Sequence, residues 1–213
     1  MQSFHVLTAV AAPLLRENLD TDVIIRIERL TDAKPDLQRW CFEALRYLPD
    51  GSPNAGFVLN QPNYSDAEIL LGGPNFGCGS SREGAVWALM KMGLRCIIAP
   101  SFGQIFYANC FQNGLLPVVL PLDNVEELAT QVRVDPRANP ITVDLPQQQI
   151  ISPRGDQFSF TIPAFLKESL LEGLDTLDVI LKRESQIAAF QRDDRRRRPW
   201  VYQTVEKSGW QTP

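Results

Sequence analysis

Between Ala67 and Leu120 the chain alternates short apolar runs with amphipathic stretches. The runs "AEILLGG" (67–73), "RCIIA" (95–99) and "LLPVVL" (115–120) are brief and continuously apolar, the pattern of strands buried on both faces. Residues 82–92 set Ala85, Ala88, Leu89 and Met92 on one helical face, with Gly93 as a C-terminal stop. Residues 103–113 predict a second helix ended by Gly114. Strand, helix, strand, helix, strand with such short connections implies parallel strands and right-handed crossovers.

The flanking segments are less uniform. Residues 4–15 read as a strand or hairpin opening, and "NLDTDVII" (18–25) as a polar turn followed by an apolar run. Residues 31–56 carry Pro35, Pro49, Gly51, Pro53 and Gly56 around a short helix at "LQRWCFEALRYL". A connection this long often carries function. "DNVEELATQVR" (123–133) predicts a helix capped by Asp123, with Glu126 three residues on. "ITVDL", "QQIIS" and "QFSFTI" predict three antiparallel strands, and "PAFLKESLLEG" (163–173) a helix with Pro at its start and Gly at its end. A final helical stretch covers roughly 175–193.

No internal repeat and no linker between large domains is visible. The expected organisation is one α/β domain over 1–190 and a polar, basic-rich tail over 191–213. Arg195–Arg198 reads as a solvated, partly disordered charge run, with an acidic or nucleic-acid contact as the lesser alternative. The net charge of −4 argues against a global nucleic-acid footprint. No run approaches the ~18 apolar residues of a membrane span, and the N-terminus lacks a basic signal-peptide region. A reducing, cytoplasmic setting is expected. The four cysteines, Cys41, Cys78, Cys96 and Cys110, show no C-x-x-C spacing, and His5 is the only histidine. That argues against a zinc site or a self-contained iron–sulfur site. Cys96 and Cys110 sit in apolar surroundings and are expected to be buried thiols.

The chemistry concentrates in "GGPNFGCGSSRE" (72–83), where an apolar strand runs through a Gly-rich turn into a helix. Ser80 and Glu83 match a capping box, which explains them without any function. A capping box leaves Gly72, Gly73, Gly77, Gly79, Ser81 and Arg82 unexplained. Glycines permit close backbone approach, a helix N-terminus offers free N–H groups, and Arg82 brings a fork that fits a carboxylate. An anion or carboxylate site and a merely capped helix both remain open. The turn is neither a Walker A loop nor a G-x-S-x-G elbow, and Ser80 has no histidine partner in the chain other than His5. Cys78 as a thiolate nucleophile is a minor alternative. In "NLDTDVII", Asn18, Asp20, Thr21 and Asp22 serve either as turn caps or as a pair of acids orienting a partner group.

Taken together, "NLDTDVII", "NFGCGSSRE", "IIAPSFGQIFYANCFQNGLLPV" and "GLDTLDVIL" closely resemble the small subunits of bacterial 3-isopropylmalate dehydratase, relatives of aconitase. The resemblance runs from about residue 4 to 190. It implies the aconitase-type swivelling domain, a three-layer β/β/α fold with a parallel βαβαβ core. It implies a separate large subunit that holds a [4Fe–4S] cluster, with no metal held by this chain. The implied reaction belongs to leucine biosynthesis: dehydration of 2-isopropylmalate to isopropylmaleate, then rehydration to 3-isopropylmalate. Carried over position by position, Ser80 matches the catalytic base. Ser81 and Arg82, with Gly79 in the same turn, match substrate-carboxylate contacts. Thr21 and Asp22 match the D-T-D segment facing the active site.

The chain departs from that family in three places. Gly84 stands where His usually follows the R-E pair, Arg26 stands where Pro usually follows D-T-D-x-I-I, and the loop "RLTDAKPDLQRWCFEALRYL" lacks the usual glycine-containing basic motif. These departures concern the alkyl pocket more than the reaction. The alternatives are a related alkylmalate or citramalate-type dehydratase subunit, and a degenerate, non-catalytic regulatory subunit.

Overall fold

The computed structural model describes residues 1–31, 34–79 and 82–202. By contact the chain divides into two compact units, Met1–Gly173 and Leu174–Pro213.

The first unit holds two four-stranded sheets. β1 (Val6–Ala9) and β2 (Ala11–Leu14) are consecutive but do not form a hairpin: each enters a different sheet. Then come four single-turn helices, α1 (Thr21–Ile24), α2 (Ile27–Leu30), α3 (Leu37–Trp40) and α4 (Glu43–Arg46). The expected helix at 37–48 is thus broken in two. Phe42, fully buried, adopts a left-handed φ of 58° between α3 and α4, and its N–H donates to Ile24 O at 2.7 Å. Such a conformation costs a bulky residue about 1–3 kcal/mol and is held here by burial.

The alternating core follows: β3 (Ile69–Gly72), α5 (Gly84–Lys91), β4 (Cys96–Ala99), α6 (Gln104–Asn113), β5 (Leu116–Val119) and α7 (Leu122–Val134). The order β2-β3-β4-β5 is parallel throughout, as the short connections predict. Pro13 and Pro117 lie on its two edge strands, where a missing N–H costs no central ladder bond. β6 (Ile141–Asp144), β7 (Gln149–Ile151) and β8 (Gln157–Ser159) form the expected antiparallel set, joined by β1 in the order β1-β6-β7-β8. α8 (Ala164–Glu172) ends the unit at Gly173, with φ of 70°.

Two cores sandwich the parallel sheet, and strand periodicity separates them. Ile69, Leu71, Cys96, Ile98, Leu116 and Val118 point toward the antiparallel sheet and α7. Leu70, Ile97 and Ala99 point toward α5, α6 and the segment before β3. The result is the three-layer β/β/α arrangement. Two expected caps differ. α7 is preceded by Pro121, and Asp123 lies in its first turn rather than at the cap. α5 starts at Gly84 with Glu83 at its N-cap and no side-chain cap bond. A capping box from Ser80 would need Glu83 inside the helix; Ser80 itself lies outside the described residues.

The second unit holds α9 (Thr176–Leu181) and α10 (Glu184–Arg197). Asp175 and Asp178 form a reciprocal capping box on α9. The helix continues past residue 193 into the basic run, because Asp193 and Asp194 sit four residues before Arg197 and Arg198 and pair with them at 2.9 and 2.6 Å. Among the described residues no helix is long and apolar enough to cross a membrane.

Candidate active site

The C-terminal ends of β2, β3 and β4 continue beyond the sheet as three adjoining loops. Asn18 N donates to Pro74 O (2.9 Å), Gly77 N to Leu19 O (2.8 Å) and Thr21 N to Cys78 O (2.9 Å). Asp20 and Cys78 form a parallel bridge, and Phe76 and Phe102 form another. Phe76 N donates to Ser101 O at 3.0 Å, and Gly103 N to Phe76 O at 2.9 Å. The parallel ladder thereby carries on without regular strands. It delivers residues 18–22, 74–79 and 101–103 to the edge where ligands bind in open α/β sheets.

The glycines of this turn are there for contact. A Cβ on Gly103 would meet Gly77 O at 2.5 Å and Cys78 Cα at 3.0 Å. A Cβ on Gly77 would strike the Phe106 ring, and one on Gly79 the Asp20 carboxylate; both glycines also have positive φ, 69° and 94°. Phe76 and Phe106 pack at 5.7 Å between ring centroids, and Phe102 and Phe106 stack at 6.4 Å. The aromatic cluster is a rigid floor under the turn.

Of the residues singled out in the sequence, Asp22, Thr21, Gly79 and Arg82 do come together. The Asp20 carboxylate caps α1, accepting from Asp22 N at 2.6 Å, and lies directly against Gly79. Asp22, exposed on the first turn of α1, forms an ion pair with Arg82 through Oδ1 and Nη2. The Arg82 side chain is 21% exposed and that of Asp22 58%, so the pair orients a guanidinium more than it stabilises the fold; exposed pairs contribute at most about 1 kcal/mol. Thr21 is buried. Ser80 and Ser81 lie outside the described residues.

Asn75, Ser101 and Phe106 were not singled out from the sequence; Asn18 was, as a turn cap. Asn75 Nδ2 donates to Asn18 Oδ1 (2.8 Å), and Asn75 N to Ser101 Oγ (2.8 Å). Asn18 and Asn75 both hold left-handed φ, 50° and 57°. Asn followed by a tight turn was the available signal; the partner across the turn was not readable.

Cys78 is a poor thiolate candidate. Partial burial and then the nearby Asp20 charge both raise its pKa above the ordinary thiol value. Cys41, Cys96 and Cys110 are fully buried, and burial pushes each thiol up further. Among the described residues no three His, Cys, Asp or Glu side chains are grouped to hold a metal. The cysteines do not fit an iron–sulfur cluster: Cys96 faces one core, Cys41 and Cys110 the other.

Beside this edge, Arg29 grips Glu43 with two bonds (3.0 and 2.6 Å), which holds the Glu43 carboxyl below its usual pKa. Arg29 and Arg39 both lie over the Trp40 ring, at 3.7 and 4.7 Å. Arg26, Arg39, Trp40, Glu43 and Tyr47 line a cleft of about 540 Å³.

Comparison with known proteins bears on the family and the fold. The family model described as the aconitase C-terminal domain matches residues 1–123, and one described as LeuD_N matches 126–164. The chain is 50% identical over 205 residues to a 3-isopropylmalate dehydratase small subunit from Cupriavidus necator, covering 95% of this chain and 99% of that one. It is 46% identical over 202 residues to the small subunit of the same name from Cereibacter sphaeroides, covering 94% and 100%. A crystal structure of a 3-isopropylmalate dehydratase from Methanocaldococcus jannaschii superposes with a TM-score of 0.63 at 24% identity, over 86% of this chain and 98% of that one, which supports the fold. Near-complete coverage at such identity shows that the chain belongs to the family of 3-isopropylmalate dehydratase small subunits.

Proposed function

We propose that this chain is the small subunit of a hydro-lyase that isomerises 2-isopropylmalate to 3-isopropylmalate through isopropylmaleate, in leucine biosynthesis. It acts with a large subunit, and we place both in the cytoplasm. The observation that carries this reading is the Asp22–Arg82 pair, formed where the D-T-D segment is hydrogen-bonded alongside the Gly-rich turn. The [4Fe–4S] cluster is assigned to the large subunit, since the cysteines here do not fit it, and no step of this chain runs through it.

In this reading the small subunit supplies the proton chemistry and a clamp for the substrate's carboxylate. Arg82 binds that carboxylate, and Asp22 keeps the guanidinium aimed while the site is empty. Ser81 and the Gly79 backbone add hydrogen bonds to the same group, and Thr21 holds the D-T-D segment in place. Ser80 takes the proton from one substrate carbon as the neighbouring carbon loses its hydroxyl; on rehydration it delivers a proton to that neighbouring carbon while the hydroxyl of water adds to the carbon that was deprotonated. A serine is a poor base in water. Its oxyanion needs a dry, electropositive site, which Arg82 and a closing large subunit supply.

The test is turnover by the co-expressed pair, prepared without oxygen, following the unsaturated acid formed from 2-isopropylmalate with citramalate alongside. Activity on isopropylmalate is expected. Activity on citramalate alone would keep the reaction and move the substrate. Ser80→Ala is expected to abolish turnover while subunit association survives; full activity in that variant would refute the base assignment.

A further inference from the structure

Gly84 opens α5 although nothing in its backbone calls for glycine: it is absent from the positive-φ residues. In a helix it costs up to about 1 kcal/mol against alanine. The reason lies opposite. A Cβ on Gly84 would meet Leu30 Cδ1 at 2.5 Å, Cδ2 at 2.8 Å and Cγ at 3.2 Å. Leu30 is the last residue of α2, a single turn with no buried residue and no side-chain cap. One isolated turn has little stability of its own, so its place depends on its side-chain anchors, Leu30 against Gly84 and Arg29 on Glu43 and Trp40.

The segment that follows is laid along α5. Leu30 sits at the helix start, α3 packs on the helix, and Arg46 Nη1 approaches Met92 Sδ, at the helix end, at 3.2 Å. The same segment begins directly after α1, whose Asp22 holds Arg82. It also builds the walls of the Arg26–Trp40–Tyr47 cleft. We propose that Leu30 is a positioning residue: seated in the notch left by Gly84, it latches α2 and, with it, residues 34–47 onto α5, and so sets both the cleft wall and the Asp22–Arg82 pair.

The test is a double-mutant cycle in the full chain with Gly84→Ala, Leu30→Ala and the combination, read by hydrogen exchange over residues 34–47 and by kinetics of the complex. Gly84→Ala alone is expected to speed exchange of that segment about tenfold and to raise KM several-fold, with kcat within about twofold. In the Leu30→Ala background the three nearest atoms of that collision are gone. Gly84→Ala is expected there to leave exchange unchanged or slow it, because alanine is the better helix former. Equal harm in both backgrounds would overturn the latch. A fall in Tm with exchange and KM unchanged would also overturn it, by reducing Leu30 to packing. The kinetic arm rests on the proposed reaction; the exchange arm does not. A wild-type pair inactive on isopropylmalate would therefore sink the substrate and leave exchange to judge the latch.

Discussion

Gly103→Ala isolates the contact between the loop after β4 and the Gly-rich turn. Gly103 has an ordinary φ of −57°, so alanine there carries no left-handed penalty, and the whole effect is collision. The new Cβ would sit 2.5 Å from Gly77 O and 3.0 Å from Cys78 Cα, both backbone atoms that cannot rotate away. Restoring ordinary contact needs a shift of roughly 0.5–1 Å in the turn, and overpacking of this kind costs about 1–3 kcal/mol. Because that turn leads into the stretch proposed to carry the base, a shift of that size is expected to lower kcat about 100-fold. Gly93→Ala is the control. Gly93 has a φ of 95° with nothing within 4 Å, so alanine there strains the helix end without touching the site. It should lower Tm by an amount similar to Gly103→Ala and leave kcat unchanged. The assay is Tm by calorimetry and steady-state turnover of the complex. Wild-type kcat in Gly103→Ala, or equal loss of kcat in both variants, would refute the claim that the turn's position governs activity.

Arg82→Lys should raise KM at least tenfold with the fold intact, because a lysine cannot hold a carboxylate with a two-bond fork; unchanged kcat/KM would remove Arg82 from the clamp. In the native chain only Cys78 should react with iodoacetamide at neutral pH, and slowly, because its pKa is raised; all four cysteines should react in denaturant, as mass spectrometry would read. Glu43 has a folded-state pKa below its unfolded value, so its grip on Arg29 adds stability above the unfolded carboxylate pKa and loses it as pH falls through the folded one. Exchange over residues 34–47 should therefore rise in acid relative to Glu43→Gln, which should show no such step; identical pH profiles would remove the ion pair from the account.

Much of the fold was legible because its determinants are local. Ile69–Gly72, Cys96–Ala99 and Leu116–Val119 are apolar on both faces since each lies between two layers, and Gly114 and Gly173 end their helices with the left-handed φ that favours glycine. The D-T-D segment, the Gly-rich turn and Arg82 could be picked out as chemistry because residue types and spacing carry that signal. Other features depended on partners distant in sequence. Val6–Ala9 and Ala11–Leu14 look like one hairpin, yet their partners, β6 and β3, pull them into different sheets. The 37–48 stretch has helical composition, but burying Phe42 beside Ile24 breaks it at a left-handed residue. Asp22 and Arg82 stand sixty positions apart, and the parallel bridging of 18–21 with 74–78 and the packing of α1 on α5 bring them together. Gly84 reads in the sequence as a weakness in a helix; the side chain of Leu30, fifty-four positions earlier, gives it a reason. Local pattern thus determined the elements and nominated the residues. The geometry of the site was decided by steric contact between segments that meet only in the folded chain.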